Sequence, residues 1–393
     1  MLSGVFRFVS IFHYVYAHLQ LFDDGCYSNK EIGMSKMDIT TNPAGTRGFS
    51  FLEFVSTTPQ KMRDLFSLLG FTLVGQHKTK TIELWQQNDV FFLLNNESQG
   101  FAKAFKEAHQ SGACGMGFVV ENVEHALAHC IKKGAKLKTQ NMDDWHGQSI
   151  EVIHGIADTK LYLTDYSSII DSGLFEMIPD AKAQMQNNEC GLLYIDHLTH
   201  NVFRGNMDKW ANYYIDLFNF RQIRYFDIEG KLTGLLSRAM TSPCLKIKIP
   251  INESADDHSQ IEEFLREFNG EGIQHIALES QDIFATVEKL KDSGVEFMHT
   301  PDSYYTKTHE RLPYHPESVE RIHKNRILID GAPAKEGGYL LQIFTNTVIG
   351  PVFFEIIQRK GDDGFGEGNF QALFDSIELD QIERGVLSTQ EHK

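Results

Sequence analysis

Apolar runs of strand length recur along the chain, and three of them carry side chains that can bind a metal. The run 194–200 contains His197, the run 272–278 contains His275 and the run 352–358 contains Glu355. Because successive side chains of a strand face opposite sides, Phe353, Glu355 and Ile357 share one face. That face is apolar, and an unpaired carboxylate in an apolar interior is costly. The pattern therefore predicts a buried Glu355 with a specific partner.

Helical periodicity follows two of the strand-like runs. The run 48–55 leads into an amphipathic segment over 58–71, and the run 193–198 leads into a second one over 207–220. Pro59 lies near the start of the first predicted helix and Gly70 near its end, as capping favours. Asn219 takes the place of that glycine in the second.

A second pair of similar segments reveals an internal repeat. Residues 115–137 match 275–297, and Gly134 and Gly294 are 160 residues apart. This offset also aligns Val123 with Ile283. The pattern indicates an α+β chain made of two copies of a larger unit, each containing two modules of one strand, one helix and further strands.

The two copies differ where chemistry is expected. The alignment places Gly115 opposite His275 and Phe54 opposite His197, so the first copy lacks the candidate ligands. Two imidazoles and one carboxylate form the ligand set of non-haem Fe(II) oxygenases. Spacings of 78 and 80 residues are too wide for a local motif, so the fold must bring the three together. The alternatives are hydrogen-bonded histidines and an ion-paired buried glutamate.

Composition and charge narrow the class of protein. The 393 residues, 41% hydrophobic and 23% charged, suit two globular domains. A formal net charge of −16 argues against a nucleic-acid partner. The five cysteines are scattered without CxxC spacing, which argues against a disulfide framework and favours a reducing, cytoplasmic setting.

The amino-terminal segment 1–47 reads differently from the rest. Its aromatic and apolar start is interrupted by Arg7, His13 and His18, so no membrane span is expected there. Met34 and Met37 are alternative starts. We interpret the segment as a disordered or non-native extension before a domain that begins near Gly48. A cleaved signal, a membrane-surface segment and an ordered arm are the alternatives.

Six motifs, in order along the chain, carry a resemblance to a known family. They occupy 195–202, 226–235, 274–278, 340–345, 353–359 and 364–374. In these motifs the chain resembles the 4-hydroxyphenylpyruvate dioxygenase family, which has the vicinal oxygen chelate (VOC) architecture. The resemblance runs from residue 48 to the carboxyl terminus and is strongest over 191–385.

The resemblance implies an α+β fold of two VOC halves, each built from paired βαβββ modules that form an open mixed-sheet barrel. We expect a non-catalytic half over 48–180 and a catalytic half with a covering helix over 181–375. A tail over 376–393 follows. Members of the family are usually dimers or tetramers, so a homodimer or homotetramer is expected.

It also implies one Fe(2+) per subunit, held by His197, His275 and Glu355. The polar residues expected to orient substrate and act in catalysis are Ser237, Asn252, Gln260, Gln274 and Gln342. The expected aromatic wall consists of Phe344, Phe353, Phe365 and Phe370. Glycines 364, 366 and 368 would form a hinge before the covering helix.

The activity implied is conversion of an aromatic 2-oxo acid, 4-hydroxyphenylpyruvate, and O₂ to homogentisate and CO₂ in tyrosine and phenylalanine catabolism. The nearest alternative is 4-hydroxymandelate synthase, which oxidises the benzylic carbon of the same substrate. A metal-free small-molecule binding protein on the same scaffold is a further alternative. Pigment formation or haemolysis could be a secondary consequence of homogentisate oxidation.

Overall fold

The computed structural model describes residues 41–385 except 138–149, 167, 230–233, 301, 307, 332–336, 367 and 370–384. Residues from Ile39 onward form one compact unit. Of the predicted extension over 1–47, residues 1–40 lie outside the described residues, and so do Phe370 and all but Gly385 of the predicted tail over 376–393.

The first half of the compact unit is built on one eight-stranded mixed sheet. Its strand order is β6-β7-β5-β1-β4-β3-β2-β8, with β1 parallel to β4 and antiparallel to β5. The strands are β1 (Thr46–Val55), β2 (Thr72–His77), β3 (Ile82–Gln87), β4 (Val90–Asn95), β5 (Gly112–Val120), β6 (Ile150–His154), β7 (Lys160–Thr164) and β8 (Phe175–Met177).

The second half repeats this plan in an eight-stranded sheet of order β10-β11-β12-β9-β13-β16-β15-β14. Here β9 is parallel to β12 and antiparallel to β13, while β13 is parallel to β16. The strands are β9 (Leu192–Val202), β10 (Arg221–Glu229), β11 (Gly234–Thr241), β12 (Lys248–Ser254), β13 (Gly272–Ser280), β14 (Leu328–Gly331), β15 (Tyr339–Phe344) and β16 (Phe353–Lys360).

Ten α-helices in the described part of the chain connect the strands. Pro59 begins the first of them, Gly70 follows it at φ +84°, and Asn219 ends the fifth at φ +56°, as the capping signals predicted. No helix among the described residues is long and apolar enough to cross a membrane. The helices are α1 (Pro59–Leu68), α2 (Gly100–His109), α3 (Val123–Lys132), α4 (Ala181–Asn188), α5 (Met207–Phe218), α6 (Gln260–Phe268), α7 (Ile283–Asp292), α8 (Asp302–Thr306), α9 (Thr308–Arg311) and α10 (Val319–Asn325).

The predicted fold class, an α+β chain with two VOC halves, is confirmed. In the second half, β9-α5-β10-β11-β12 forms one βαβββ module, and β13, helices α7 to α10 and β14-β15-β16 form the other. The first half differs in one detail, because β8 crosses to the far edge of its sheet and pairs with β2. Apolar side chains of both halves contribute to one large core.

The strand registers correct one predicted alignment. Gly115 remains the counterpart of His275, but the counterpart of His197 is Phe51, so the predicted match to Phe54 was wrong. The β-bulges of this pairing lie at equivalent places in both halves, so the error came from the short match of 48–55 to 193–198, which was displaced by three positions. Two equivalent pairs fix the alignment: Leu52 with Met116, and Leu198 with Ile276.

Candidate metal centre

The three candidate ligands converge on one face of the second sheet. They lie on neighbouring strands: His197 on β9, His275 on β13 and Glu355 on β16. Ala277 of β13 pairs with His197 on one side and with Glu355 on the other. His275 lies two residues from Ala277 and so faces the same side. The possible ligand atoms of the three side chains all lie within 4.8 Å of one another.

The arrangement suits a metal ion. Glu355 Oε2 is 3.2 Å from His197 Nε2 and 3.5 Å from His275 Nε2. Ligands about 2.1 Å from a metal and at right angles to each other stand about 3 Å apart, so small adjustments would seat an ion. His197 and Glu355 are only 2% and 1% exposed. The site is therefore a buried His-His-Glu group compatible with metal binding.

An acidic neighbour orients His197. Its Nδ1 lies 2.8 Å from Asp196 Oδ1, and since a carboxylate only accepts, Nδ1–H donates and Nε2 faces Glu355. Burial favours neutral Asp196, but hydrogen bonds and charge from Arg359 outweigh it and hold its pKa well below its usual value. Burial also opposes protonation of His197, yet the charges of Glu355 and Asp196 raise its pKa. Positive charge on the His197 imidazole is thus favoured.

His275 is oriented by an amide. Its Nδ1 donates to Gln274 Oε1 at 2.8 Å, and its ring stacks on Phe353 at 4.9 Å between centroids. Thr199 Oγ1 lies 2.8 Å from the remaining nitrogen, Nε2. Burial holds the pKa of His275 well below its usual value, so the imidazole is neutral, which is the form that binds metals.

Glu355 is held from behind. Gln342 Nε2 donates to Glu355 Oε1 at 2.8 Å and to the carbonyl of Phe365 at 3.0 Å. Asn369 Nδ2 in turn donates to Gln342 Oε1 at 2.9 Å. One carboxylate oxygen is therefore fixed by an amide, and Oε2 is left facing the two histidines.

A cavity of about 600 Å³, its open mouth included, opens onto the three ligands. Gln342 lies behind Glu355 instead of on the wall, and Phe370 is outside the described residues. Four lining residues were not predicted: Thr199, Leu235, Pro250 and Ile261. The predicted residues that line it besides the ligands are Ser237, Asn252, Gln260, Gln274, Phe344, Phe353 and Phe365.

Known proteins match both halves of the chain. The model of the N-terminal domain of hydroxyphenylpyruvate dioxygenase matches residues 40–175, and the glyoxalase, bleomycin resistance protein and dioxygenase superfamily model matches 194–317. A 4-hydroxyphenylpyruvate dioxygenase of Pseudomonas aeruginosa is 54% identical over 88% of this chain and 97% of its own length. The chain belongs to the 4-hydroxyphenylpyruvate dioxygenase family. Its members are oxidoreductases.

The chain is also similar to a further relative and to solved structures. Hemolysin VllY of Vibrio vulnificus is 54% identical over 88% of this chain and 98% of its own length. A xylose isomerase-like TIM barrel/4-hydroxyphenylpyruvate dioxygenase fusion protein superposes with a TM-score of 0.73 at 26% identity, covering 86% of this chain and 54% of the fusion. A mutant 4-hydroxymandelate synthase from Streptomyces coelicolor shares the fold, with a TM-score of 0.73 at 23% identity over 86% of this chain and 99% of its own.

The start of the predicted covering segment packs directly on the dioxygenase cavity. The ring of Phe365 meets that of His197 edge-on at 5.4 Å. Gly366 has φ +74°, and a side chain there would collide with the amide of Gln342. Gly368 donates its N–H to Asp330 Oδ2 at 2.6 Å. Glycine at 366 therefore permits close approach to the site, and the hinge role predicted for these glycines remains a prediction.

Sequence reasoning predicted Gln274 and Gln342 as site residues but missed four others around the ligands. Asp196, Thr199, Arg359 and Asn369 lie within the six motifs and were not among the predicted site residues. One signal was present, because Asp196 places a carboxylate next to a candidate ligand histidine, and metal-binding histidines commonly donate their second N–H to a carboxylate. The position of Asn369 depends on the course of the chain after β16, which no local pattern indicates.

Proposed function

We propose that this protein is an Fe(II)-dependent dioxygenase that converts 4-hydroxyphenylpyruvate and O₂ to homogentisate and CO₂ in tyrosine and phenylalanine catabolism. The observation that carries the proposal is the convergence of His197, His275 and Glu355 at a cavity that is partly lined by aromatic side chains. The relative of 54% identity from Pseudomonas aeruginosa, named for this activity, supports it.

His197, His275 and Glu355 would hold one Fe(2+) per subunit. Two imidazoles and one carboxylate leave part of the metal's coordination sphere open. Fe(II) in such a site supplies open positions for a 2-oxo acid and O₂, and electrons for O₂ reduction. Asp196 and Gln274 keep both Nδ1 atoms protonated, so each Nε2 presents its lone pair to the ion.

The cavity wall provides the groups needed to position an aromatic 2-oxo acid. Ser237, Asn252 and Gln260 line it with hydroxyl and amide groups that donate and accept hydrogen bonds without adding charge. We assign these three the task of binding the substrate's phenol hydroxyl and carboxylate. Gln274 and Gln342 have a second task, because they also hold metal ligands.

Aromatic side chains shape the remaining wall and exclude water. Phe344 and Phe353 lie edge-on at 6.1 Å beside His275, and Phe365 covers His197. A dry site protects a reactive oxidant from side reactions with water and holds the ring of the substrate close to the metal.

Oxygen consumption coupled to product analysis tests this function. The purified protein, with added Fe(II) and ascorbate, should consume O₂ when 4-hydroxyphenylpyruvate is supplied and release homogentisate, identified by chromatography and mass. Accumulation of 4-hydroxymandelate would instead assign benzylic hydroxylation to this chain. Absence of iron-dependent O₂ uptake would favour a metal-free binding protein.

We further propose a cytoplasmic homodimer or homotetramer in which 48–180 is the structural half, 181–375 the catalytic half and 376–393 a tail. Free Cys114, Cys130, Cys190 and Cys244 suit a reducing compartment. Light scattering coupled to size-exclusion chromatography would give the mass of the assembly, and a monomer would contradict the proposed state.

A further inference from the structure

Arg359 connects a candidate metal ligand to the segment that covers the site. It lies near the end of β16, four residues after Glu355, and its side chain is 10% exposed. Its Nε donates to Asp196 Oδ2 at 2.7 Å and its Nη2 to Asp196 Oδ1 at 2.8 Å. This is a bidentate pair, the geometry in which arginine fixes a carboxylate most firmly.

The other side of the guanidinium holds the chain after β16. Arg359 Nη1 donates to the carbonyl of Asp362 at 3.1 Å and to that of Gly364. Gly364 N–H donates to Asp362 Oδ1 at 2.6 Å, which closes a tight turn. The ring of Phe365 follows, 5.9 Å from the guanidinium carbon. Arg359 therefore fixes the residues that lead Phe365 over the cavity.

Asp196 carries the connection to the metal centre. The oxygen that accepts from Arg359 Nη2, Oδ1, also accepts from His197 Nδ1. Phe365 touches the same imidazole from the cavity side. We propose that Arg359 is a positioning residue that couples the orientation of His197 to the closure of segment 362–366 over the cavity. This inference rests on the proposed function, since it takes His197 as a metal ligand.

The first half argues against a role in the scaffold alone. Ser50 precedes Phe51 as Asp196 precedes His197. Tyr162 pairs with Gly117 of β5 as Glu355 pairs with Ala277 of β13, and Tyr166 follows Tyr162 by four residues as Arg359 follows Glu355. The sister half thus builds the same strands without an aspartate–arginine pair at these positions. The Asp196–Arg359 pair lies in the half that carries the candidate ligands and the covering segment.

Coupling of this kind acts in both directions. Metal binding that fixes His197 should stabilise the bond network through Asp196 and favour the closed segment, and closure should tighten metal binding by the same factor. If Arg359 only anchored the end of β16, replacing it would change stability. The coupling between metal binding and closure of segment 362–366 would then stay intact.

The test combines anaerobic Fe(II) titration with amide hydrogen exchange of residues 362–366 in the full chain. In the wild type, Fe(II) should slow exchange in this segment. In Arg359→Gln, Fe(II) affinity should fall by about 10- to 100-fold, as for other groups that orient metal ligands, and Fe(II) should no longer slow exchange. Asp196→Asn, which can still accept from His197 but opposes the guanidinium, should also abolish the slowing.

Arg63→Gln is the matched control, because Arg63 forms a bidentate pair with Glu83 in the first half. It should change stability without changing Fe(II) affinity or exchange. If Arg359→Gln does not fold, Arg359→Lys carries the test, with an affinity below wild type because lysine lacks the planar fork.

Wild-type affinity and iron-dependent slowing in folded Arg359 variants would overturn the coupling and leave the proposed function standing. A wild-type chain that binds no Fe(II) would overturn the proposed function itself, and the coupling with it.

Discussion

Equivalent positions in the two halves have opposite roles. In the second half these positions hold candidate metal ligands, and in the first they hold packed side chains. Tyr162 pairs with Gly117 of β5 as Glu355 pairs with Ala277 of β13, so the two are counterparts. The resulting matches are His197 with Phe51, His275 with Gly115 and Glu355 with Tyr162.

The first-half position is filled. The rings of Phe51 and Tyr162 contact at 5.1 Å, and both side chains are fully buried. Tyr162 Oη donates to Glu53 Oε2 at 2.5 Å, and Asn95 Nδ2 donates to Glu53 Oε1 at 2.7 Å. A Cβ at Gly115 would lie 2.9 Å from the Tyr162 ring. A buried carboxylate persists here, but hydrogen bonds satisfy it where the second half would use a metal.

This difference separates the requirements of the fold from those of the chemistry. Both halves form the same mixed sheet, so the scaffold requires neither histidine nor the carboxylate of Glu355. The second half leaves a cavity where the first half places aromatic rings.

The largest expected effect is loss of iron from the second half. Glu355→Gln should abolish turnover, by at least about a thousandfold, because a neutral amide is a poor ligand for Fe(II). Iron content measured by metal analysis should fall with it. The matched change Glu53→Gln should keep iron and turnover and cost about 1–3 kcal/mol of stability. Wild-type iron content in Glu355→Gln would refute the ligand assignment.

Removing an aromatic ring from the first half should mainly affect stability. Phe51→Ala should lower the free energy of unfolding by about 3–5 kcal/mol, because Phe51 is fully buried and leaves a cavity. Denaturant unfolding measures this, and iron per folded chain should stay at the wild-type value. Loss of iron from the folded variant would show that the halves are not separable in this way.

Shortening the chain should separate turnover from iron binding. A chain ending at Gly361 lacks the segment that carries Phe365 over His197 but retains all three ligands. Turnover should fall about 10- to 100-fold as water enters the site, and iron content measured at saturating Fe(II) should change less, because the three ligands remain. Full homogentisate formation by the shortened chain would show that this segment has no covering role.

The smallest effect tests whether a ligand alone can restore a site in the first half. Gly115→His supplies the counterpart of His275 but meets Tyr162 and Glu53 at close range. Overpacking should cost about 1–3 kcal/mol of stability, and the iron content should not increase. A second iron in this variant would show that the first half is an open site and not a filled one.

Strand alternation and the internal repeat predicted much of the fold and of the candidate site. Strand alternation predicted that Glu355 faces the interior, and the repeat showed which half lacks the ligands. Both predictions depend on patterns that can be read locally in the sequence. The counterpart of His197 was misplaced because the match between 48–55 and 193–198 is too short to fix the alignment, which the strand pairing of both halves fixes instead. The supports from Gln342 and Arg359 depend on strand adjacency and on the path of the covering segment, and these arise only from tertiary structure.

The central claim is that one half of the chain holds iron and the other does not. Anomalous X-ray diffraction from iron-loaded crystals, measured on both sides of the iron absorption edge, tests it most directly. We expect one iron peak per chain, between His197 Nε2, His275 Nε2 and Glu355 Oε2, and no peak beside Phe51 and Tyr162. A peak in the first half, or no peak between the three ligands, would contradict it.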